Sequence, residues 1–170
     1  MVMSGVECNF TWATMSRLMK EYRAIRAQKE VALRPSGGES GAGADGDGED
    51  SLRAWTATLE GPADSPYAGA SFALDLEVPA TYPLAPPVAR FRPRAMPHVN
   101  VNYETGEICL DILKGEWSPV YNLLYVVQAV QRLLREPNPD SPLNLELGVI
   151  MREGDLAAYR GLIRYYIQQQ

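Results

Sequence analysis

Residues Thr105 to Val120 read T-G-E-I-C-L-D-I-L-K-G-E-W-S-P-V, and the character of the chain turns over at this stretch. Before it lie short alternating segments separated by turn formers; after it come amphipathic helical repeats. One helix, a run of strands, a loop and then more helices make an α+β chain of one domain. The stretch also carries Cys109, one of two cysteines, between two turn-rich loops where functional side chains tend to be presented. Thiolates attack carbonyls well, so Cys109 is a candidate nucleophile. A buried structural thiol is the commoner role for an intracellular cysteine, and the surroundings must decide.

Upstream, Val88 to Arg92 reads as a strand, preceded by a segment in which Pro79, Pro83, Pro86 and Pro87 forbid regular structure. Ser71 to Val78 alternates with Phe72, Leu74, Leu76 and Val78 on one face. Ser51 to Glu60 alternates as well, setting Leu52, Ala54, Thr56 and Thr58 against Arg53, Trp55, Ala57 and Leu59. Gly61 to Gly69 is dense in turn formers and separates the two. Val31 to Pro35 is a short first strand. From Ser36 to Asp50 the chain is almost entirely Gly, Ser, Ala, Glu and Asp. Such a segment cannot offset its ordering entropy by burial, so it is expected to be a flexible acidic loop inserted between the first two strands. A helix is expected from Phe10 to about Gln28, with Phe10, Met15, Leu18, Met19, Tyr22 and Ile25 apolar and Arg17, Lys20, Glu21 and Arg23 between them. Thr11 or Asn9 would cap it. The expectation is a four-stranded antiparallel meander behind one helix.

Downstream, Asn122 is a plausible cap for a helix from Leu123 to Arg135 with a broad apolar face. Pro137, Pro139 and Pro142 stop it. Asn144 starts a short helix to about Met151, and Gly154-Asp155 form a stop-and-cap pair before a last helix from Leu156 to about Ile167.

Composition narrows the class. With 170 residues, 46% hydrophobic and 22% charged, the chain suits one globular domain. A net charge of −5, partly concentrated in Glu39, Asp45, Asp47, Glu49 and Asp50, argues against nucleic acid as the main partner. Cys8 and Cys109 make neither a disulfide framework nor a four-ligand zinc site, and a reducing compartment is the natural setting. Cys8 is read as a bystander. No secretory signal is visible at the start, and no apolar run is long enough to insert in a bilayer.

Around Cys109, the amide of Asn100 is a candidate donor to an oxyanion formed when a nucleophile attacks a thioester. Asp111 and Ser141 are candidates to border the same groove. His98, the single histidine, would make a cysteine hydrolase if it served as the general base, but neither a glycine-rich oxyanion loop nor a family-specific cysteine signature accompanies it.

The motifs then narrow the field. Gly61-Pro62-x-Asp64-Ser65-Pro66-Tyr67-x-Gly69, Tyr82-Pro83-x-x-Pro86-Pro87 and His98-x-Asn100 come first, followed by Gly106-x-Ile108-Cys109-Leu110-Asp111-Ile112-Leu113. Trp117-Ser118-Pro119 and Asn138-Pro139-x-x-Pro142-Leu143 complete the series. Six ordered motifs at this spacing resemble the ubiquitin-conjugating enzymes, from the first helix to the C-terminus. Glu107 to Gly115, Leu133-Leu134-Arg135-Glu136-Pro137, Asp140 to Leu143 and Gly154-Asp155-x-x-Ala158-Tyr159 are most similar to the family's peroxisomal branch, the fourth peroxin.

The resemblance implies the ubiquitin-conjugating fold and a specific chemistry. Cys109 would accept ubiquitin as a thioester from the ubiquitin-activating enzyme. It would pass it to a substrate lysine or cysteine with a ring-type ubiquitin ligase bound. Asn100 would stabilise the oxyanion or brace the loop above the cysteine, and His98 would be structural. Asp111 and Ser141 would occupy gate positions for an incoming lysine, although serine cannot supply the charge of the aspartate many members carry unless it is phosphorylated. Leu84, Pro119 and Val120 would meet the ligase, with Leu84 in place of the frequent phenylalanine. No metal or organic cofactor is implied; ATP is used by the activating enzyme. The peroxisomal branch further implies a membrane anchor, the twenty-second peroxin, an import receptor as substrate, and a peripheral place on the cytosolic face of the peroxisomal membrane. Two departures stand out. Val99 replaces the proline of His-Pro-Asn and is expected to loosen that turn. Lysine is scarce, with Lys20, Lys29 and Lys114 against 13 arginines, and Lys114 is nearest Cys109 in sequence. The competing readings are a general cytosolic conjugating enzyme and a non-catalytic ubiquitin- or ligase-binding module of the same fold.

Overall fold

The computed structural model describes residues 11–28, 31–36 and 52–169. Asn9, Phe10, Cys8, Lys29 and residues 37–51, which include most of the acidic segment, lie outside the described residues. The first helix, α1, spans Trp12–Ala27 and is capped by Thr11, whose hydroxyl accepts from the Thr14 N–H at 3.2 Å. Four strands follow as an antiparallel meander in the order β1 (Ala32–Pro35), β2 (Ala54–Glu60), β3 (Ser71–Glu77) and β4 (Val88–Phe91). After the cysteine stretch come α2 (Leu123–Arg135), α3 (Leu145–Arg152) and α4 (Leu156–Gln168).

Alternation decides which face of the sheet is buried. In β2 the core face carries Trp55, Ala57 and Leu59; in β3 it carries Phe72, Leu74 and Leu76; in β4, Ala89 and Phe91. Leu52 is buried too, but from a turn before β2, where its carbonyl accepts from the Trp55 indole at 2.9 Å. Against this layer lies the apolar stripe of α2: Leu123, Val126, Val127, Val130, Leu133 and Leu134. Each such side chain contributes about 1.5–3 kcal/mol relative to leaving it exposed. Asn122 caps α2, accepting from Tyr125 N–H at 2.7 Å, and Asn144 and Asp155 cap α3 and α4 in the same way.

One expectation changes. The buried stripe of α1 is Thr14, Leu18, Glu21 and Ile25, at i, i+4, i+7 and i+11. Glu21, grouped by pattern with the polar residues, faces inward, while Met15, Met19 and Tyr22 are only partly buried at the margins. The reason is a specific set of partners, described below. No helix among the described residues is long and apolar enough to cross a membrane.

Candidate active site

After β4 the chain turns back on itself twice. Gly106 closes the second turn with φ +74, and a Cβ there would lie 1.8 Å from the Phe91 carbonyl oxygen, so only glycine fits both the backbone and the approach. The isolated bridges Arg90↔Glu107 and Val101↔Ile108 then seat Ile108 in the core beside Val101. The next residue is Cys109, half-buried and free, with its N–H donated to the Asn100 carbonyl at 2.8 Å.

His98 and Asn100 are both buried, at 0% and 1% exposure. Nδ1 of His98 accepts from the Asn100 N–H at 3.0 Å, and Nε2 lies 3.0 Å from the Leu133 carbonyl. A carbonyl only accepts, so the proton sits on Nε2 and the ring is neutral. Burial lowers the pKa of His98 from 6.5 to about 4, with the Leu133 hydrogen bond opposing in part. Both nitrogens are engaged, so the general-base role of a cysteine hydrolase has no group to perform it. His98 links α2 to the turn.

The side chain of Asn100 points at the loop after α2. Its Nδ2 donates to the carbonyls of Asn138 (2.7 Å) and Ser141 (3.2 Å), and its Oδ1 accepts from the Asn138 N–H (2.8 Å). Both amide hydrogens are therefore taken, and in this geometry none remains for an oxyanion. Of the two roles weighed for Asn100, its hydrogen bonds are those of the brace. Val99 does not leave the turn open. Its side chain is fully buried, its carbonyl accepts from both Leu143 and Asn144 (2.9 and 3.0 Å), and Val101 N–H closes onto the His98 carbonyl at 3.1 Å. The expected loosening is met by hydrogen bonds from the 141–144 loop. Pro97, which immediately precedes His98, has its carbonyl bound by the buried Tyr67 hydroxyl at 3.0 Å, which shows why the turn-rich Gly61 to Gly69 motif matters to the site.

Asp111 opens a 3-10 turn, Asp111–Leu113, and its carbonyl accepts from the N–H groups of Lys114 and Glu116. The Asp111 side chain is exposed, as are Ser141 and Lys114. Cys109, Asn100 and Ser141 are thus joined through one chain of hydrogen bonds, and Asp111 follows the cysteine by two residues. Leu84, at 78% exposure, and Val120, also at 78%, stand out as large apolar side chains left in solvent, with Pro119 exposed beside Val120. Among the described residues no cluster of three or more His, Cys, Asp or Glu could hold a metal ion.

Sequence reasoning missed the polar core between the Leu84 and Val120 loops. Glu21 Oε1 accepts from Arg17 Nε (2.5 Å) and from the Tyr82 hydroxyl (2.7 Å), while Oε2 accepts from the Leu123 N–H (2.9 Å). Thr14 donates to the Tyr82 carbonyl at 2.8 Å, Arg17 Nη2 to the Tyr121 carbonyl at 2.8 Å, and the Trp117 indole to the Pro83 carbonyl at 2.9 Å. The one signal in the sequence was the i,i+4 spacing of Arg17 and Glu21, which reads equally well as a solvent-exposed pair.

A four-stranded meander between one leading helix and three trailing ones, with a half-buried cysteine after a braced His-x-Asn turn, defines a class. Residues 17–167 match the family described as ubiquitin-conjugating enzyme, and the chain belongs to that family. Among its relatives, a ubiquitin-conjugating enzyme E2-21 kDa of Saccharomyces cerevisiae is 44% identical over 162 residues, covering 92% of this chain and 87% of that protein. Protein PEROXIN-4 of Arabidopsis thaliana is 38% identical over 159 residues, covering 91% and 92%. Among solved structures, Pex4p of H. polymorpha in complex with the soluble domain of Pex22p superposes with a TM-score of 0.79 at 34% identity, covering 92% of this chain and 97% of that one. The chain is a ubiquitin-conjugating enzyme whose similar proteins include named peroxin-4 members.

Proposed function

We propose that this enzyme carries ubiquitin as a thioester on Cys109 and passes it, with a ring-type ligase bound, to a lysine or cysteine of a peroxisomal import receptor. The observation that carries the mechanism is the setting of Cys109: a half-buried thiol on a fixed backbone, with both nitrogens of the chain's one histidine engaged elsewhere. That setting suits exchange between thioesters. The Cys109 sulfur attacks the ubiquitin carbonyl held on the activating enzyme, the carbonyl is re-formed, and the departing thiolate is already a good leaving group. The absence of a histidine to activate water fits a carrier whose acyl group must survive until a substrate arrives. The substrate amine or thiol then attacks the same carbonyl and gives up its proton to solvent, and Cys109 leaves as thiolate. Asn100 positions the loop above the thioester, while Asp111 and Ser141 flank the approach of the acceptor. ATP is consumed upstream, by the activating enzyme, and no metal or organic cofactor enters.

The peroxisomal assignment rests on the peroxin-4 relatives and on the Pex4p–Pex22p structure. By that likeness a membrane-anchored partner holds this chain at the cytosolic face of the peroxisome.

The test is a charging assay with activating enzyme, ubiquitin and ATP, resolved with and without reductant. A reductant-sensitive adduct is expected, absent in Cys109→Ala and replaced in Cys109→Ser by a reductant-resistant ester. An unaltered adduct in Cys109→Ala would sink the mechanism. Lysine transfer as fast as cysteine transfer, together with normal matrix import after gene deletion, would instead leave a general conjugating enzyme.

A further inference from the structure

We propose that Glu21 is a positioning residue for ligase-dependent transfer, fastening the loop that carries Leu84 to the loop that carries Pro119 and Val120. The inference rests on the reading of those residues as the ligase-docking surface. Leu84 and Val120 are large apolar groups left in solvent on two separate connections, one before β4 and one before α2. Two such groups make a single docking surface only if their connections keep a fixed spacing. Neither connection is held by a sheet: the first is a run of turns broken by Pro79, Pro83, Pro86 and Pro87, and the second follows a 3-10 turn.

Both are tied instead to α1. Glu21 is 7% exposed, and its two oxygens take three donors from three different segments: Arg17 of α1, the Tyr82 hydroxyl beside Pro83, and the Leu123 N–H that opens α2. Leu123 offers one of the N–H groups that a helix cannot satisfy internally, and a carboxylate is favoured at that end of the helix dipole. Around this centre, Thr14 holds the Tyr82 carbonyl, Arg17 holds the Tyr121 carbonyl, and the Trp117 indole crosses directly to Pro83. The rings continue the link, with Tyr82 6.1 Å from Trp117 and Trp117 5.8 Å from Tyr121. Trp117 is also the residue through which the ligase loop continues from the Asp111–Leu113 turn after Cys109. Glu21 therefore sits where α1, both docking loops and the start of α2 converge, buried but for 7% of its surface and with none of its hydrogen bonds made to Cys109.

The experiment uses the full chain pre-charged with ubiquitin, so that activation is excluded from the readout. Discharge is followed with and without a ring domain that stimulates the wild-type chain. In Glu21→Gln, which keeps shape but removes the charge and one acceptor, the KM for the ring domain is expected to rise about tenfold, with kcat and unassisted discharge within about twofold of wild type. Tyr82→Phe deletes one bond only; its effect should have the same sign and be smaller, and the double variant should be less than additive. A purely architectural residue would lower unassisted discharge, kcat and melting temperature together. A second measurement needs no charging: ring-domain affinity for the uncharged chain, with hydrogen exchange of the Trp117 indole N–H. If wild type fails to charge, the proposed function fails, while these two still read Glu21. Unchanged ring affinity and unchanged Trp117 exchange in both Glu21→Gln and Tyr82→Phe overturn the proposal, as does a uniform loss in every assay.

Discussion

Both ring nitrogens of His98 face backbone groups, and a second proton on the ring would set a new N–H against the donating N–H of Asn100. The pH consequence follows directly. The folded ring has a pKa of about 4 where an exposed one has 6.5, so as pH falls below 6.5 the unfolded chain binds a proton that the folded chain refuses. Stability from this residue is fully present above pH 6.5. It declines toward pH 4 at up to about 1.4 kcal/mol per pH unit. Melting curves at pH 7 and pH 5 should show a larger loss for wild type than for His98→Gln, which retains a donor and an acceptor without a titrating ring. Equal losses would mean that acid sensitivity lies in the carboxylates instead. Asn100 works through the same turn from the other side: its main chain fixes Cys109 and its side chain fixes residues 138 and 141. That double duty, rather than a free amide, is what the His-x-Asn motif supplies here.

At the scale of elements, the turn before the cysteine is the most constrained. In Gly106→Ala the new methyl would meet a main-chain oxygen of β4 that cannot withdraw without breaking its strand, and the backbone would still need positive φ. A destabilisation of at least ~2 kcal/mol is expected, measured by urea unfolding, with charging reduced at temperatures where the variant remains folded. A loss under ~0.5 kcal/mol would mean that the turn rearranges. Much of this level was legible in the chain. The alternation of Phe72, Leu74 and Leu76 gave β3 its buried face, and Asn122, Asn144 and Asp155 announced three helix starts because a short polar side chain before an apolar repeat has one obvious use. Leu52 illustrates a limit, since period two cannot tell where a strand gives way to a turn that buries its residue anyway. Glu21 illustrates a deeper one. A carboxylate on a buried stripe is tolerated only because donors arrive from residues about 60 and 100 positions away. No local pattern encodes those partners. The candidate site was legible through its motifs, whereas the direction of the Asn100 amide and the replacement of a proline by clamped backbone at Val99 depend on where the 138–144 loop lands.

Across the whole molecule, the sheet, α1 and α2 share one apolar cluster, and α3 and α4 join it through Leu147, Tyr159 and Ile163. The late segments do more than cover the core, because the 138–144 loop supplies every partner of the Asn100 side chain and both donors to Val99. A chain ending after Glu136 should therefore retain the sheet signal in circular dichroism yet accept no ubiquitin, and full charging of such a chain would show that the turn stands alone. The order of synthesis gives this arrangement a further meaning. Cys109 leaves the ribosome well before residue 144 does, so a nascent chain exposes its thiol while the turn beneath it has no clasp. The seat of the thiol is thereby finished only when residues 138–144, made after the cysteine itself, have been added and have closed onto Asn100 and Val99.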